Sequence, residues 1–492
     1  TASSLSLFEG EELLDPNSAH LEDLVLDTPN LTFAGGSSRA RFFQIRGIGE
    51  YDNFEEPVTP SVGLVIDGID FSGFGNVVSL FDVERVEVLR GPQSGLYGTQ
   101  ALAGLIYIES NEPTDFWTGR AEATVAQYDT YRGGVAVGGP LEFVDEDLAM
   151  RLSVYQNNSD GSTYNDFLGR HSGRDEDEFT GRLKVDWEPS EVFRLDVTAL
   201  YSDFQNGYDN FTLTANEGSR TVLSDLPGQD NQRSRALAVE AAFGPVEREI
   251  ASRTTAQRTN TTYSFDADWL NTSGDPLNLR LWREVWGEPS PQSWFEKYTR
   301  ESKRVRQEFL FRRNEGPGTT RYTAGVGGDY LEQDAEGFEN YPTAAFGPFS
   351  NQVGNTFEEG GIYSFGEILH PFSERHEIGG TLRIEGRRVE LRDADSPLFY
   401  GTADDREFLW PGALSYRFLF SESQALYAKI ARGYKGGGIN VDRNARELFY
   451  DDEALYSIEG GWNYTRPDGT LESRVSVFAF DREPPQVRRK RN

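Results

Sequence analysis

The sequence predicts a mainly β fold, a transmembrane antiparallel β-barrel preceded by a smaller α+β domain, and three observations carry that reading. Beyond residue 117, segments of about ten residues alternate apolar and polar side chains, the period-2 signature of strands with two unlike faces. Short connections alternate with long ones rich in Gly, Asn and Asp, as periplasmic turns alternate with extracellular loops in barrels of this kind. No stretch approaches the roughly 18–20 continuous apolar residues of a membrane-spanning helix, so a membrane crossing has to be made by strands.

Composition bounds the function before any motif is read. The chain has no cysteine, which removes disulfides, thiolate metal sites and a cysteine nucleophile. The four histidines, His20, His171, His370 and His376, fall at none of the helical or hairpin spacings that hold a metal. A net charge of -32 argues against a nucleic-acid partner, which needs clustered Lys and Arg. With 33 Phe, 22 Tyr, 51 Gly and one Met, the composition suits strands and tight turns better than a helical bundle. The expected absences are therefore an enzyme activity, a metal and an intrinsic cofactor. No charged n-region with an apolar h-region opens the chain at Thr1.

Residues 1–113 read as the first domain. Short helices are expected near Glu11 to Leu14 and Ser18 to Leu26, and strands at Phe42 to Ile45, Gly63 to Ile66, Val83 to Arg90 and Leu105 to Ser110, joined by Gly-containing turns such as Arg46-Gly-Ile-Gly49. Residues 114–492 read as the barrel. Leu183, Val185 and Trp187 alternate with Arg182, Lys184 and Asp186, and Phe193, Leu195, Val197, Ala199 and Tyr201 with Arg194, Asp196 and Thr198. Segments of ten or more residues are too long for most soluble sandwiches, whose strands average about five or six. Trp187, Phe193, Tyr201, Tyr322 and Tyr330 are placed for the two membrane interfaces. Long loops are expected over 157–176, 204–234, 272–295 and 333–358. About fifteen strands are expected before Asn492, the last at 474–482, so the barrel is expected to lack its C-terminal strands.

Three runs in the first domain carry a resemblance: Gln44-Ile-Arg-Gly-Ile-Gly49, Gly63-Leu-Val-Ile-Asp-Gly68, and the contiguous stretch from Phe81-Asp-Val-Glu-Arg-Val-Glu-Val-Leu-Arg-Gly-Pro-Gln93 to Ile108. They resemble the plug signature of TonB-dependent outer-membrane receptors. Ala431-Arg-Gly-Tyr-Lys-Gly-Gly-Gly-Ile-Asn440 is similar to a barrel strand of that family. The resemblance implies a plug inside a 22-stranded barrel in the bacterial outer membrane, surrounded by lipid and lipopolysaccharide. It also implies active uptake of a scarce solute energised through TonB and its inner-membrane complex. An iron–siderophore complex leads as the solute, with an oligosaccharide or cobalamin as alternatives. No TonB-box heptapeptide is recognisable before Leu5. A passive porin or adhesin gives no reason for a folded domain before the first strand, and a surface hydrolase would need opposed carboxylates that no motif selects.

Charges on a domain inside a lumen have to be paired. Arg46, Glu84, Arg85, Glu87 and Arg90 are therefore candidates for locking the plug to the barrel. The resemblance implies barrel glutamate partners for Arg46 and Arg90, with Glu308 and Glu367 as candidates. Arg85 and Glu87 could equally form a solvated strand face. For the ligand, the expected residues are Glu50, Tyr51 and Phe54 at one plug apex, Phe71 and Phe74 at a second, and Tyr341 in a loop, because aromatic faces with a few polar groups suit a flat or sugar-like molecule.

Overall fold

The computed structural model describes residues 4–483, apart from 11–12, 14–19, 26, 35–37, 52–58, 76, 99, 210, 214–219, 317, 343–349, 394–400, 440–448 and 469. Two sheets divide the chain. The first has five strands in the order Leu5–Glu9, Val83–Arg90, Gly104–Ser110, Val62–Ile66 and Ile69–Asp70. Val62–Ile66 runs parallel to Gly104–Ser110, and the other ladders are antiparallel. The helix expected near 18–26 is described over Leu21–Val25, and its buried Leu21, Leu24 and Val25 dock on the same core.

The second sheet has 16 strands, all antiparallel, from Thr118–Ala126 to Glu472–Glu483. Each strand lies beside its neighbour in sequence, so the sheet is a continuous meander. At one place the meander is broken: Gly401–Leu409 and Gly412–Ser421 both pair with His376–Asp393, one after the other, with Pro411 between them. Proline cannot donate to a ladder, which accounts for the interruption.

The alternation in sequence becomes an inside-out distribution of polarity. Leu183 is 36% exposed, while its neighbours Arg182 and Lys184 are 3% and 5% exposed. The same holds around the sheet, where Val135, Leu237, Ile250, Val326, Ile362, Leu414, Ile430, Ile458 and Val477 are exposed and Ser153, Thr180, Ser202, Gln232, Thr259, Arg304, Arg383 and Glu459 are buried. A continuous apolar exterior of that extent is a lipid-facing surface. Aromatics cluster at the short-turn end, with Trp187–Phe193 at 6.0 Å, Phe193–Phe243 at 5.0 Å, Phe311–Tyr322 at 5.6 Å and Trp462–Tyr464 at 6.0 Å between ring centroids. Tyr201 stands eight residues up the strand from Phe193, and Tyr330 eight from Tyr322. Eight residues span about 26 Å along the strand, which at a tilt of about 40° is about 20 Å of height, most of an apolar band about 25 Å tall.

The loops expected over 204–234 and 333–358 are shorter than the sequence suggested. Strands Phe193–Tyr208 and Gly228–Phe243 close in on the first, and Arg321–Asn340 and Ser350–Ser373 on the second. These ladders continue beyond the upper aromatics, where neither face meets lipid and the period-2 signal disappears.

The main hydrophobic core belongs to the small sheet and includes Ile45, Ile66, Phe71, Phe74, Val77, Leu80, Val86 and Ile106, together with Leu200, Ala236 and Leu455 of the barrel wall. The first domain therefore occupies the lumen.

Candidate functional site

The plug meets the wall through charges of both signs, presented from tight turns. In the Arg46-Gly47 turn both residues have positive φ, +55° and +76°, and Ile45 and Ile48 exchange backbone hydrogen bonds across it. That is the conformation of a two-residue hairpin turn matched to strand twist. At Gly49, φ is +154° and an added Cβ would run into the Phe43 carbonyl, so only glycine closes this turn. Asp67-Gly68 repeats the arrangement, with φ of +48° and +77°, and Asp82 also sits at +60°. Non-glycine residues rarely hold such backbones; here Arg46, Asp67 and Asp82 are each aimed at the barrel.

Several plug cations meet wall carboxylates. Arg46 pairs with Glu459, and its guanidinium lies 3.7 Å from the centroid of the Phe478 ring. Arg41 pairs with Asp230, which also accepts the Ser38 backbone N–H at 2.8 Å. Arg39 donates to Glu178 at 2.6 Å and lies 3.0 Å from Glu176, and His20 Nε2 lies 2.7 Å from Glu178. Elsewhere the signs reverse. Asp70 pairs with Arg304 and, at 3.2 Å, with Arg306. Asp82 receives Arg151 Nε at 2.8 Å, Asp67 lies 3.2 Å from Lys184, and Glu50 receives Lys435 at 2.7 Å. Burial alone would raise the Glu50 carboxyl pKa; Lys435 and the hydrogen bonds from Ser61 reverse this and hold it below the usual value.

The residues singled out in sequence are distributed unequally over this interface. Arg46 bonds a barrel glutamate, Glu459, instead of Glu308 or Glu367. Glu308 accepts the Tyr363 hydroxyl at 2.9 Å, and Glu367 makes no ion pair among the described residues. Among the described residues Arg90 bonds no carboxylate; its guanidinium donates to the Pro29 carbonyl at 2.8 Å and to the Ser4 and Ser6 hydroxyls. Burial, and then the nearby Arg46, lowers its pKa. Arg85 pairs within the plug, with Glu87 at 3.0 Å and with Glu109, and Glu84 is exposed, so this strand face is the solvated one. Charge on a strand cannot reveal its partner; sequence alone had no signal for Glu459, Asp230 or Glu178, each of which lies on an unremarkable polar strand position.

On the ligand side, Phe71 and Phe74 are corrected from an outward apex to the plug core, where they are 0% and 4% exposed; the adjacent Asp70 is anchored to Arg304, which turns the segment inward. Glu50 is taken up by Lys435 and Ser61. Tyr51 is open, at 68% exposure, and Phe54 lies outside the described residues. Tyr341 meets Trp294 edge-on at 5.8 Å. Trp294 belongs to an aromatic cluster in the outer loops that sequence reading missed, with Trp282, Trp286, Trp269 and Phe211 in successive contact at 4.9–5.7 Å. Asp275 caps its helix, Pro276–Leu281, by accepting from the Leu277 and Asn278 N–H groups. Beneath the rings, Asp266 and Asp268 are pushed up to about 9 and about 6, by burial first and then, for Asp266, by the Asp268 charge. Both sit outside the membrane band, eight or more residues beyond Arg258 at the level of Tyr201.

The TonB-dependent Receptor Plug Domain family matches residues 1–105. The pesticin receptor of Yersinia enterocolitica is 23% identical over 487 residues, covering 96% of this chain and 66% of its own length. The ferripyoverdine receptor of Pseudomonas aeruginosa is 25% identical over 228 residues, 46% of this chain and 26% of that protein. Among solved structures, the ferric yersiniabactin uptake receptor of Yersinia pestis superposes with a TM-score of 0.83 at 18% identity, covering 99% of this chain and 73% of that one. The chain thus spans just under two thirds of the pesticin receptor's length. Residues 1–105 therefore match a TonB-dependent receptor plug domain, and the barrel around them shares its fold with an outer-membrane uptake receptor.

Proposed function

We propose that the chain imports an iron–siderophore complex across the outer membrane, in a step energised through TonB. The observation that carries this reading is a lumen filled by a plug whose contacts with the wall are mainly ion pairs and hydrogen bonds. Such a plug is stable at rest, and pulling on a few charged turns disengages it, because polar contacts have no continuous apolar seam to separate. A passive pore has no use for it. The relatives' names supply the solute: a receptor for ferripyoverdine, one for ferrioxamine and one for ferric yersiniabactin are among the similar proteins. The outer aromatic cluster and Tyr51 offer the flat apolar faces such chelates require.

The test is radioactive iron uptake in a host lacking its own siderophore receptors, offered a panel of purified ferric siderophores. At least one should be accumulated only when this chain is expressed, and accumulation should stop when TonB is deleted. Uptake that persists without TonB, or a steady large conductance of the purified protein in planar bilayers, would refute the reading.

A further inference from the structure

The run Tyr434-Lys-Gly-Gly-Gly-Ile439 leaves the barrel wall at the outer end of strand Gln424–Lys435 and turns back into the lumen. Lumen-facing charges grip both backbone polar groups of one residue, Gly437. Glu407 accepts the Gly437 N–H at 2.7 Å, and Arg387 donates to the Gly437 carbonyl at 2.9 Å. Arg387 is itself bonded to Glu407 and Glu359, both at 2.7 Å, and its side chain is 1% exposed. Two residues on, Ile439 is 2% exposed among Leu331, Phe357, Val389 and Leu391 of the wall. The glycines are required by this path, since a Cβ at Gly436 would run into the Arg387 guanidinium and one at Gly438 into the Tyr450 ring.

The same segment holds the plug from above. Lys435 reaches Glu50, the Tyr434 carbonyl accepts the Ser94 hydroxyl at 3.3 Å, and the Tyr434 hydroxyl donates to Glu385 at 2.8 Å. Yet Gly436–Ile439, beyond the end of that strand, is no part of the barrel sheet: among the described residues Gly438–Ile439 pairs with Phe449–Tyr450 alone, in a ladder two residues long. A four-residue segment held through the Ile439 side chain, the gripped Gly437 and a two-residue ladder opens locally without disturbing the wall.

We propose that Gly436–Ile439 is a releasable strap that closes the outer lumen over the plug, and that the transported solute displaces it. The solute's identity rests on the uptake reading; the strap does not. Because the chain contains no cysteine, Ile439→Cys is a unique reporter. Its rate of reaction with a membrane-impermeant maleimide is measured on intact cells, against Val285→Cys in an outer loop, where Val285 is 48% exposed. Ile439→Cys should react at least about tenfold more slowly than the control, and adding Glu407→Gln or, independently, Lys435→Met should recover most of that difference. Heat-modifiable mobility on gels confirms a folded barrel in each variant. Any ferric siderophore of the panel that is transported should accelerate the labelling. The strap is refuted if Ile439→Cys reacts as fast as Val285→Cys, if folded variants at both positions leave the rate unchanged, or if a transported chelate does. A panel with no transported member defeats the uptake reading, while the substitutions still decide the strap.

Discussion

Glu459→Ala isolates one anchor of the plug. The Glu459 carboxylate is 5% exposed and accepts from Arg46, from the Tyr427 hydroxyl at 2.7 Å and from the Ser4 N–H at 2.8 Å. Removing it leaves the Arg46 guanidinium, 4% exposed, beside Phe478 with no carboxylate. Breaking one member of a buried pair costs about 3–5 kcal/mol, and the contact of Arg46 with the Phe478 ring, present before and after the substitution, offsets none of it. That loss multiplies local opening of the 42–50 hairpin by roughly 150- to 5,000-fold. Hydrogen exchange on the purified receptor reads this directly, and sensitivity of cells to a bulky antibiotic reads its consequence. In Arg46→Met/Glu459→Leu no charge is left behind, so the double variant should exchange more slowly than Glu459→Ala. Equal exchange of the Phe42–Ile48 amides in Glu459→Ala and the unaltered chain would refute the argument.

Other substitutions separate the readings further. Arg85→Ala should change stability by less than about 0.5 kcal/mol, because its partners are on the plug and its side chain is 37% exposed, and urea titration of the plug signal checks it. Val185→Arg, opposite Val197 midway between Phe193 and Tyr201, places a charge against lipid and should lower barrel stability by about 2–4 kcal/mol, measured by unfolding in lipid vesicles. Asp266 is pushed up to about 9 in the folded loops, above the ordinary carboxyl value, so the folded state holds a proton that the unfolded segment loses. Stability of the outer cap is therefore greatest below about pH 4 and falls as pH rises toward 9. Exchange of the 266–294 amides should accelerate between pH 6 and 9 after correction for intrinsic rates, and Asp266→Asn should flatten that dependence.

Two layers of the molecule were legible in the sequence. Alternation along 182–187 and 193–201 determined which side chains meet lipid, since a strand's faces are set by parity and every residue is read from its neighbours. The contiguous run from Phe81 to Ile108 determined the plug, because its turns demand glycine at stated positions. What tertiary structure alone decided was which charges meet. Arg46 and Glu459 are 413 residues apart, and Asp70 and Arg304 are 234 apart. Their pairing depends on the rotation of the plug within the barrel, and a rotation of a few ångströms would exchange one carboxylate for the next. The plug's own packing drew Phe71 and Phe74 inward and left Arg90 with hydroxyls and a carbonyl of the same domain for partners. Local periodicity carries no information about that angle; it is settled only when both surfaces are complete and every buried charge has found its counterpart.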